Sequence, residues 1–552
     1  MGNGSQKRTR QERVAALELP PSQWERAWGQ LRHREVLWAL GLCALAAVAI
    51  CAALGAWDPP LPYRLGQTPS RAVTARVGFL GAKGERYEAG AVLAEVGQPI
   101  SGAQLRLLKL EHAAVVAGRT FPQRLVRATA TVALVLVLTA LAALYLYHRH
   151  RPRRLPVKEL ATVLVLSVLT VTAARWAALD PWRAEVVPLL AFAQVVAIVY
   201  CQETALVLTT VLTVLVVMGL GQGMGALVLL AGAAAVAVLQ LNRIRSRSKL
   251  IYVGLATGLT AAALCMVTAL AADQQPSWAL AGRAGWLAGC ALGTGFLLTG
   301  LLPFVERYFG ILTDVSLLEL GDVSHPLLQE LVRRAPSTYN HSITVAAIAE
   351  AAADAIGARG LLVRVGAYFH DIGKMLKPEY FIENQPLDEN RHASLIPAMS
   401  TLVIIAHIKD GADLARKHKL PQAIIDFIEQ HHGTTLVEYF YGRAHEMRHN
   451  DPNGGPVDEN SYRYPGPRPQ TKEAAVLMLA DAAESACRSL IDPAPSRIES
   501  LVRDVARRKL TDGQFDETNL TLRELRTIED SVIKSLVANY HGRVKYPGQR
   551  TA

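Results

Sequence analysis

Up to about residue 304 the apolar positions of this chain gather into long uncharged runs; beyond it they recur singly at helical spacings among charged residues. The first run, residues 36–57, is long enough to cross a bilayer as a helix at about 1.5 Å per residue. A dense apolar region from 127 to 304 reads as segments near 128–147, 160–178, 186–200, 204–220, 222–241, 250–271 and 279–302. Between the two, residues 58–124 are mixed, with Pro59, Pro60 and Pro62 at the start, a strand expected over 73–80 and a helix over 104–117. From Glu306 onward the spacing predicts helices over 343–356 and 414–430, with Pro421 breaking or starting the second. Residues 450–469, rich in proline and glycine, read as a loop, and a helix from about Thr471 to Leu490 follows. The predicted fold class is all-α: a polytopic helical membrane domain, then a soluble helical domain, with a short mixed segment near the start.

Charge orients this plan. Residues 1–35 carry Lys7, Arg8, Arg10, Arg13, Arg26, Arg32 and Arg34, and their length favours a retained anchor over a cleaved signal. The loops Arg149–Arg154 and Arg243–Lys249 are strongly basic and are expected, like the N-terminus, on the cytoplasmic side. Two cytoplasmic loops are separated by an even number of crossings, so residues 186–241 must hold three helices rather than two. The expected plan is a cytoplasmic segment (1–35), an anchor (36–57), a short extracytoplasmic segment (58–124), seven crossings (125–305) and a cytoplasmic domain (306–552). The glycines Gly219, Gly221, Gly223 and Gly225 read as a turn rather than as a helix-contact stripe. Overall the chain is 51% hydrophobic with a net charge of +11, and much of that excess lies in these short loops. No basic-aromatic surface points to a nucleic-acid polymer. Five of the six cysteines lie in apolar runs and none has zinc or disulfide spacing, so they read as inert. The partners implied are a lipid bilayer and a small substrate; the oligomeric state, a homodimer included, is left open.

Chemistry concentrates in the last domain. His370 and Asp371 stand side by side in Tyr368-Phe369-His370-Asp371-Ile372-Gly373-Lys374, following an apolar lead-in that places them on a mostly buried helix. A buried carboxylate beside imidazoles needs a compensating cation. His341, His407, the pair His431-His432 and Asp481 are candidates to complete a shell, each from its own helix. Taken singly, His341 and His407 read as structural histidines, His431-His432 as a helix cap and Asp481 as a hydrogen-bond acceptor. Taken with His370-Asp371 they point to two divalent ions bridged by Asp371, the arrangement that clamps both oxygens of a phosphate ester. Lys374 is expected on the same helical face as His370, serving phosphate charge or the departing oxygen; the structural alternative is a solvated lysine at a helix end. Arg463 and Lys472 are candidate phosphate contacts, or equally ordinary surface charges. His392, His418, His445 and His449, in polar surroundings, read as surface residues.

These motifs resemble the HD phosphohydrolase superfamily, and with the membrane plan they resemble its bacterial seven-transmembrane HD (HDIG) family. The resemblance rests on Ala335-Pro336-Ser337-Thr338-Tyr339-Asn340-His341-Ser342, His370-Asp371-Ile372-Gly373-Lys374, Ile405-Ala406-His407 and Tyr462-Arg463-Tyr464-Pro465-Gly466-Pro467. Pro326-Leu327-Leu328, Gln514-Phe515-Asp516 and Tyr540–Pro547 add to it. It implies a membrane-bound cyclic di-AMP phosphodiesterase of the bacterial cytoplasmic membrane that releases 5′-pApA with the help of two iron or manganese ions. It also implies the ligand sets: His341, His370, Asp371 and Asp481 for one ion, and Asp371, His407, His431 and His432 for the other. The extracytoplasmic segment departs from the family, keeping only joined ends such as Glu88–Leu93 and Gln98–Ser101 of a much larger domain. A cyclic di-GMP enzyme is disfavoured, since Gly433-Thr434-Thr435 follows the paired histidines. A wider nucleotide phosphohydrolase leaves the membrane part unexplained. A non-catalytic nucleotide-binding receptor expects missing ligands.

Overall fold

The structure, a computed structural model, describes residues 34–69, 71–149, 157–242, 244–385, 390–450, 456–490 and 493–541. The basic stretch 1–33, most of the loop Arg149–Arg154, Arg243, residues 451–455 and the run 542–547 lie outside the described residues. The chain divides into two compact units, Met1–Ile311 and Leu312–Ala552.

The first unit begins with α1 (Arg34–Leu54), followed by strands β1 (Val73–Thr74), β2 (Phe79–Leu80), β3 (Arg86–Tyr87) and β4 (Val92–Ala94) and helix α2 (Gly102–Ala117). Then come α3 (Phe121–Arg149), α4 (Val157–Ala177), α5 (Val186–Val199), α6 (Gln202–Gly219), α7 (Met224–Leu239), α8 (Ser248–Leu270) and α9 (Trp278–Phe309). Among the described residues six helices are long and apolar enough to cross a membrane; α5 and α7 are apolar but only 14 and 16 residues long. Residues 186–241 thus hold three helices. Gly221, at φ +63°, makes the turn between α6 and α7, while Gly219 stays helical and packs against Leu54 of α1. Thr170 and Thr213 donate back to the carbonyls of Leu166 (2.7 Å) and Thr209 (2.8 Å), which keeps hydroxyls satisfied where water is excluded. Where α8 meets α9 the backbones nearly touch: a Cβ on Gly258 would lie 2.7 Å from the Ala288 carbonyl, so only glycine fits.

The single strand expected over 73–80 is two. The Arg76 amide turns away to Glu111 Oε1 (3.0 Å), and the Arg76 guanidinium embraces the same carboxylate with two bonds of 3.0 Å. Glu111 is buried on α2, so a partner remote in sequence ends the strand. Ser101 and Gln104 form a reciprocal cap that starts α2.

The second unit is helical: α10 (Asp314–Leu320), α11 (Pro326–Arg334), α12 (Pro336–Ala355), α13 (Gly360–Phe369), α14 (Pro397–Lys417), α15 (Gln422–Gln430), α16 (Glu438–Asn450), α17 (Lys472–Arg488), α18 (Pro495–Thr511) and α19 (Leu522–His541). Pro421 starts α15, as its fixed φ and missing N–H dictate. Helix α17 runs through the centre, packed by α12, α13, α15, α18 and α19. Its residues Val476, Leu477, Met478, Leu479 and Ala480 are fully buried.

His370 and Asp371 do not sit on a helix. Helix α13 ends at Phe369, His370 caps it, and Asp371 leaves helical geometry (φ −107°, ψ 15°) to open a tighter 3₁₀ turn over Ile372–Leu376. The cause lies in Gly373, which rests on the backbone of α14. A Cβ there would collide with the His407 carbonyl and lie 2.6 Å from the Gly411 nitrogen. A continuous helix would point adjacent side chains about 100° apart. The break lets both aim at one centre.

Candidate metal centre

His341 on α12, His370 and Asp371 at the end of α13, His407 on α14, His431 and His432 at the end of α15 and Asp481 on α17 converge in one buried cluster. His432 is the half-buried member. Asp371 stands in the middle and divides it. Its Oδ2 lies 3.2 Å from His370 Nε2 and 3.8 Å from His341 Nε2, while its Oδ1 lies 3.4 Å from His407 Nε2 and 3.6 Å from His431 Nε2. Asp481 Oδ1 faces His341 Nε2 at 3.0 Å, and its Oδ2 is 3.9 Å from His432 Nδ1.

Four of the imidazoles are held in one tautomer. Nδ1 lies 2.7 Å from the Ala367 carbonyl in His370, 2.5 Å from that of Ile404 in His407 and 2.9 Å from that of Ile428 in His431. A carbonyl only accepts, so Nδ1 carries the proton and Nε2 offers its lone pair to the centre. In His341 the acceptor is the Glu484 carboxylate, 2.6 Å from Nδ1.

Burial opposes charge on Asp371, yet His370 and Lys374 hold its carboxyl well below the usual range; His341 and His370 do the same for Asp481. Burial works against charge on His370, but Asp371 and Asp481 outweigh it and drive His370 up to about 10; a cation at Nε2 would take the place of that second proton. His407 falls to about 3, and His432 falls well below its usual value, both through burial.

The residues fit a divalent ion. Asp371 Oδ1 and His370 Nε2 are buried, face the centre and have no hydrogen-bond partner, a costly state that a cation relieves. Imidazole with carboxylate oxygen is the donor set that iron and manganese accept. Triads close enough to hold a metal ion are His341, His370 and Asp371; His407, His431 and His432; and His370, His431 and Asp481, which spans the two.

Lys374 lies in the 3₁₀ turn rather than on a helix, with its Nζ 2.7 Å from Asp371 Oδ2 and 3.1 Å from Glu383 Oε1. Arg463 and Lys472 are engaged elsewhere. Arg463 grips Asp512 (3.1 and 3.2 Å), Glu459 and the Thr434 carbonyl, and Lys472 pairs with Glu524. His418, His445 and His449 are exposed, whereas His392 is buried, against the expectation that it lies at the surface. Its Nε2 meets the Tyr380 carbonyl at 2.7 Å and its ring packs on Phe440, partners that its polar neighbours in sequence do not announce.

Three residues at the centre carry no assignment from the sequence: Glu383, Glu484 and Tyr464, whose ring stacks on His432 at 4.3 Å. Glu484 had a signal, being one turn beyond Asp481 in an otherwise apolar stretch.

Residues 126–313 match a family described as a 7TM receptor with intracellular HD hydrolase, and residues 338–486 match the HD domain. Each residue of the cluster falls within the second match. Two proteins named cyclic-di-AMP phosphodiesterase PgpH are 45% identical to the chain. The one from Bacillus subtilis aligns over 55% of this chain and 42% of its own length, that from Listeria monocytogenes over 47% and 35%. The chain therefore spans less than half the length of either relative. A crystal structure of the Listeria monocytogenes PgpH HD domain in complex with cyclic-di-AMP is also 45% identical, covering 40% of this chain and 100% of that one, with a TM-score of 0.37.

Proposed function

We propose that this chain, which belongs to the family joining a seven-helix membrane receptor domain to an HD hydrolase domain, hydrolyses cyclic di-AMP to linear 5′-pApA. It is a multi-pass membrane protein. The hydrolase unit would face the cytoplasm, on the side of the basic loops 149–154 and 243–249.

The observation that carries the reading is the split of Asp371: one carboxylate oxygen faces His341 and His370, the other His407 and His431. Such an arrangement suits a pair of ions, iron or manganese. His341, His370, Asp371 and Asp481 would hold one, and Asp371, His407, His431 and His432 the other. When bound, the ions supply Lewis-acid charge and an activated water for the phosphodiester. Hydrolysis breaks one P–O3′ bond, adds the water's oxygen to phosphorus and returns a proton to the 3′ oxygen.

The chain's own residues prepare this step. The pinned Nδ1 protons of His341, His370, His407 and His431 fix where their lone pairs point. Lys374 stays an ammonium: burial works against it, but Asp371 and Glu383 raise its pKa above the usual lysine range. Its part is therefore to balance phosphoryl charge rather than to donate a proton. With Arg463 and Lys472 held in ion pairs, Lys509 on α18 is a candidate for the second cation that meets the substrate. It is half-buried, feels Asp481, Asp512 and Glu438, and among the described residues has no carboxylate within ion-pair distance.

The test is turnover of cyclic di-AMP and cyclic di-GMP by the full chain in detergent micelles with manganese present. Release of pApA from the adenine substrate at the greater rate is expected, and faster cleavage of the guanine substrate overturns the assignment. Asp371→Ala should abolish turnover and lose metal; near-normal activity in that variant counts against the centre itself.

A further inference from the structure

His432 differs from the other four histidines of the cluster. Each of those has a ring nitrogen anchored to a carbonyl or carboxylate, whereas the His432 Nδ1 is 3.9 Å from Asp481 Oδ2, beyond hydrogen-bond reach. Its orientation must come from the backbone that carries it and from the ring of Tyr464 stacked on it.

That backbone is a turn with a left-handed glycine, Gly433 at φ +54°. A side chain there is doubly excluded, since a Cβ would collide with Gln514 Oε1 and lie 2.9 Å from Met478 Cε. The next residue, Thr434, is gripped at all three of its polar groups. Its N–H donates to Gln514 Oε1 (3.0 Å) and its carbonyl accepts from Arg463 (2.8 Å). Its hydroxyl oxygen accepts from Gln514 Nε2 (2.9 Å) and Arg468 Nε (3.2 Å). Gln514 has no solvent exposure and spends its last donor on Asp512 (2.8 Å), which is in turn held by Arg463. Thr435 completes the turn by taking the Tyr464 amide on its carbonyl (3.0 Å).

Two stretches distant in sequence, Tyr462–Pro467 and Gln514–Asp516, thus meet on Thr434, the second residue after the paired histidines. Gln514 lies beyond the segment that matches the HD domain, in the connection between α18 and α19. We propose that Gln514, braced by Asp512 and Arg463, is a positioning residue: it fixes the Gly433–Thr434 turn and through it the aim of His432. Arg463 is then part of the brace and not a phosphate contact. A buried amide with every bond satisfied specifies one geometry, and an apolar replacement leaves Thr434 N–H without its partner.

The inference rests on the two-ion reading of the centre and predicts a selective loss. Removing the clamp weakens the ion that His432 would hold and spares the one held through His341, His370 and Asp481. The experiment uses the full chain in detergent micelles, stripped with a chelator and titrated with Mn²⁺, with bound metal counted by elemental analysis. The native chain should take up two equivalents, and Gln514→Leu should retain one with the second weakened roughly ten- to a hundredfold, the usual effect of losing an outer support. Thr434→Val, which removes only the hydroxyl, should show a smaller loss in the same step, keeping the question open to test where the leucine variant does not fold. Two equivalents with unchanged affinity in the variants overturn the clamp alone. Equal weakening of both steps also overturns it, because that pattern reports general destabilisation. A native chain that binds fewer than two ions overturns the clamp together with the two-ion reading.

Discussion

The Nδ1 of His341 lies 2.6 Å from Glu484 Oε2, while the other oxygen of Glu484 receives Arg488 Nε at 2.6 Å. Asp481 and Glu484 stand one turn apart on α17, so a single helix contributes both a carboxylate at the centre and the carboxylate behind one of its histidines. A carboxylate behind a ligating imidazole fixes its ring and makes it a stronger donor. Glu484→Ala should weaken metal binding by about ten- to a hundredfold. Glu484→Gln, which keeps an acceptor but loses the charge, should fall between the two. Calorimetric titration with Mn²⁺ measures this, and an alanine variant with native affinity removes Glu484 from the centre's support.

Lys374 is enclosed between Asp371 and Glu383, with Thr338 Oγ1 donating to the same Glu383 oxygen at 3.1 Å. Its charge is oriented before any substrate arrives. Lys374→Met should lower kcat by roughly 10²–10³, as loss of one preorganised charge does. Metal content should hold near two equivalents. A variant that lost metal and activity in parallel would make Lys374 a scaffold for Asp371 instead.

Gly373 tests the break between α13 and the 3₁₀ turn. Gly373→Ala forces the turn off α14, where the His407 carbonyl leaves no room for a methyl. Overpacking of this kind typically costs about 1–3 kcal/mol. The shift moves Asp371 and His407 relative to each other, so denaturant titration should show lower stability and metal analysis a deficit. An alanine variant with native stability and two bound ions would show that the contact tolerates adjustment.

These cases mark what sequence could and could not reveal. Singly, His341, His407, His431, His432 and Asp481 read as structural; they stood out as a set because imidazoles and a carboxylate could complete a shell around the adjacent His370 and Asp371. Helices were readable where local signals determined them: apolar spacing for α2, proline chemistry for the start of α15 at Pro421, and, for the three helices of 186–241, the parity of crossings between two basic loops. The misses share one origin, a partner far away in the chain. Apolar residues continue past His370, so the run read as one helix; its end is set by α14 pressing on Gly373. The strand over 73–80 is split by Glu111, and Tyr380 with Phe440 buries a histidine, His392, whose neighbours Asn390 and Arg391 are exposed. Arg463 read as a candidate phosphate contact or a surface charge because, beyond the nearby Glu459, the groups that engage it, Asp512 and the Thr434 carbonyl, lie 49 and 29 residues away.

Lys509 offers a further test of substrate binding. Burial pulls its pKa below the ordinary lysine value, and Asp481, Asp512 and Glu438 act the other way. A bound dinucleotide with two phosphates would give that ammonium an anionic partner. Lys509→Met should raise KM for cyclic di-AMP by about tenfold, with kcat and metal content little changed. That is the signature of lost uniform binding. An unchanged KM would return Lys509 to a packing role.

Removing metal should also register as stability. Asp371 and Asp481 are buried carboxylates, and Asp371 Oδ1 has no hydrogen-bond donor. Ions that bind only the folded cluster stabilise it by an amount that grows with the logarithm of their concentration, about 2.7 kcal/mol at a hundred times Kd. Scanning calorimetry of the full chain should therefore show one transition that falls when a chelator is added and climbs back with Mn²⁺. A transition belonging to the membrane helices should not respond, since the ligands all lie in Leu312–Ala552. Asp371→Ala is the control: it removes the carboxylate whose two oxygens serve the two halves of the cluster, so added Mn²⁺ should no longer restore the transition. If chelator and Mn²⁺ leave the native chain's melting unchanged, the histidines and aspartates are holding each other rather than a metal.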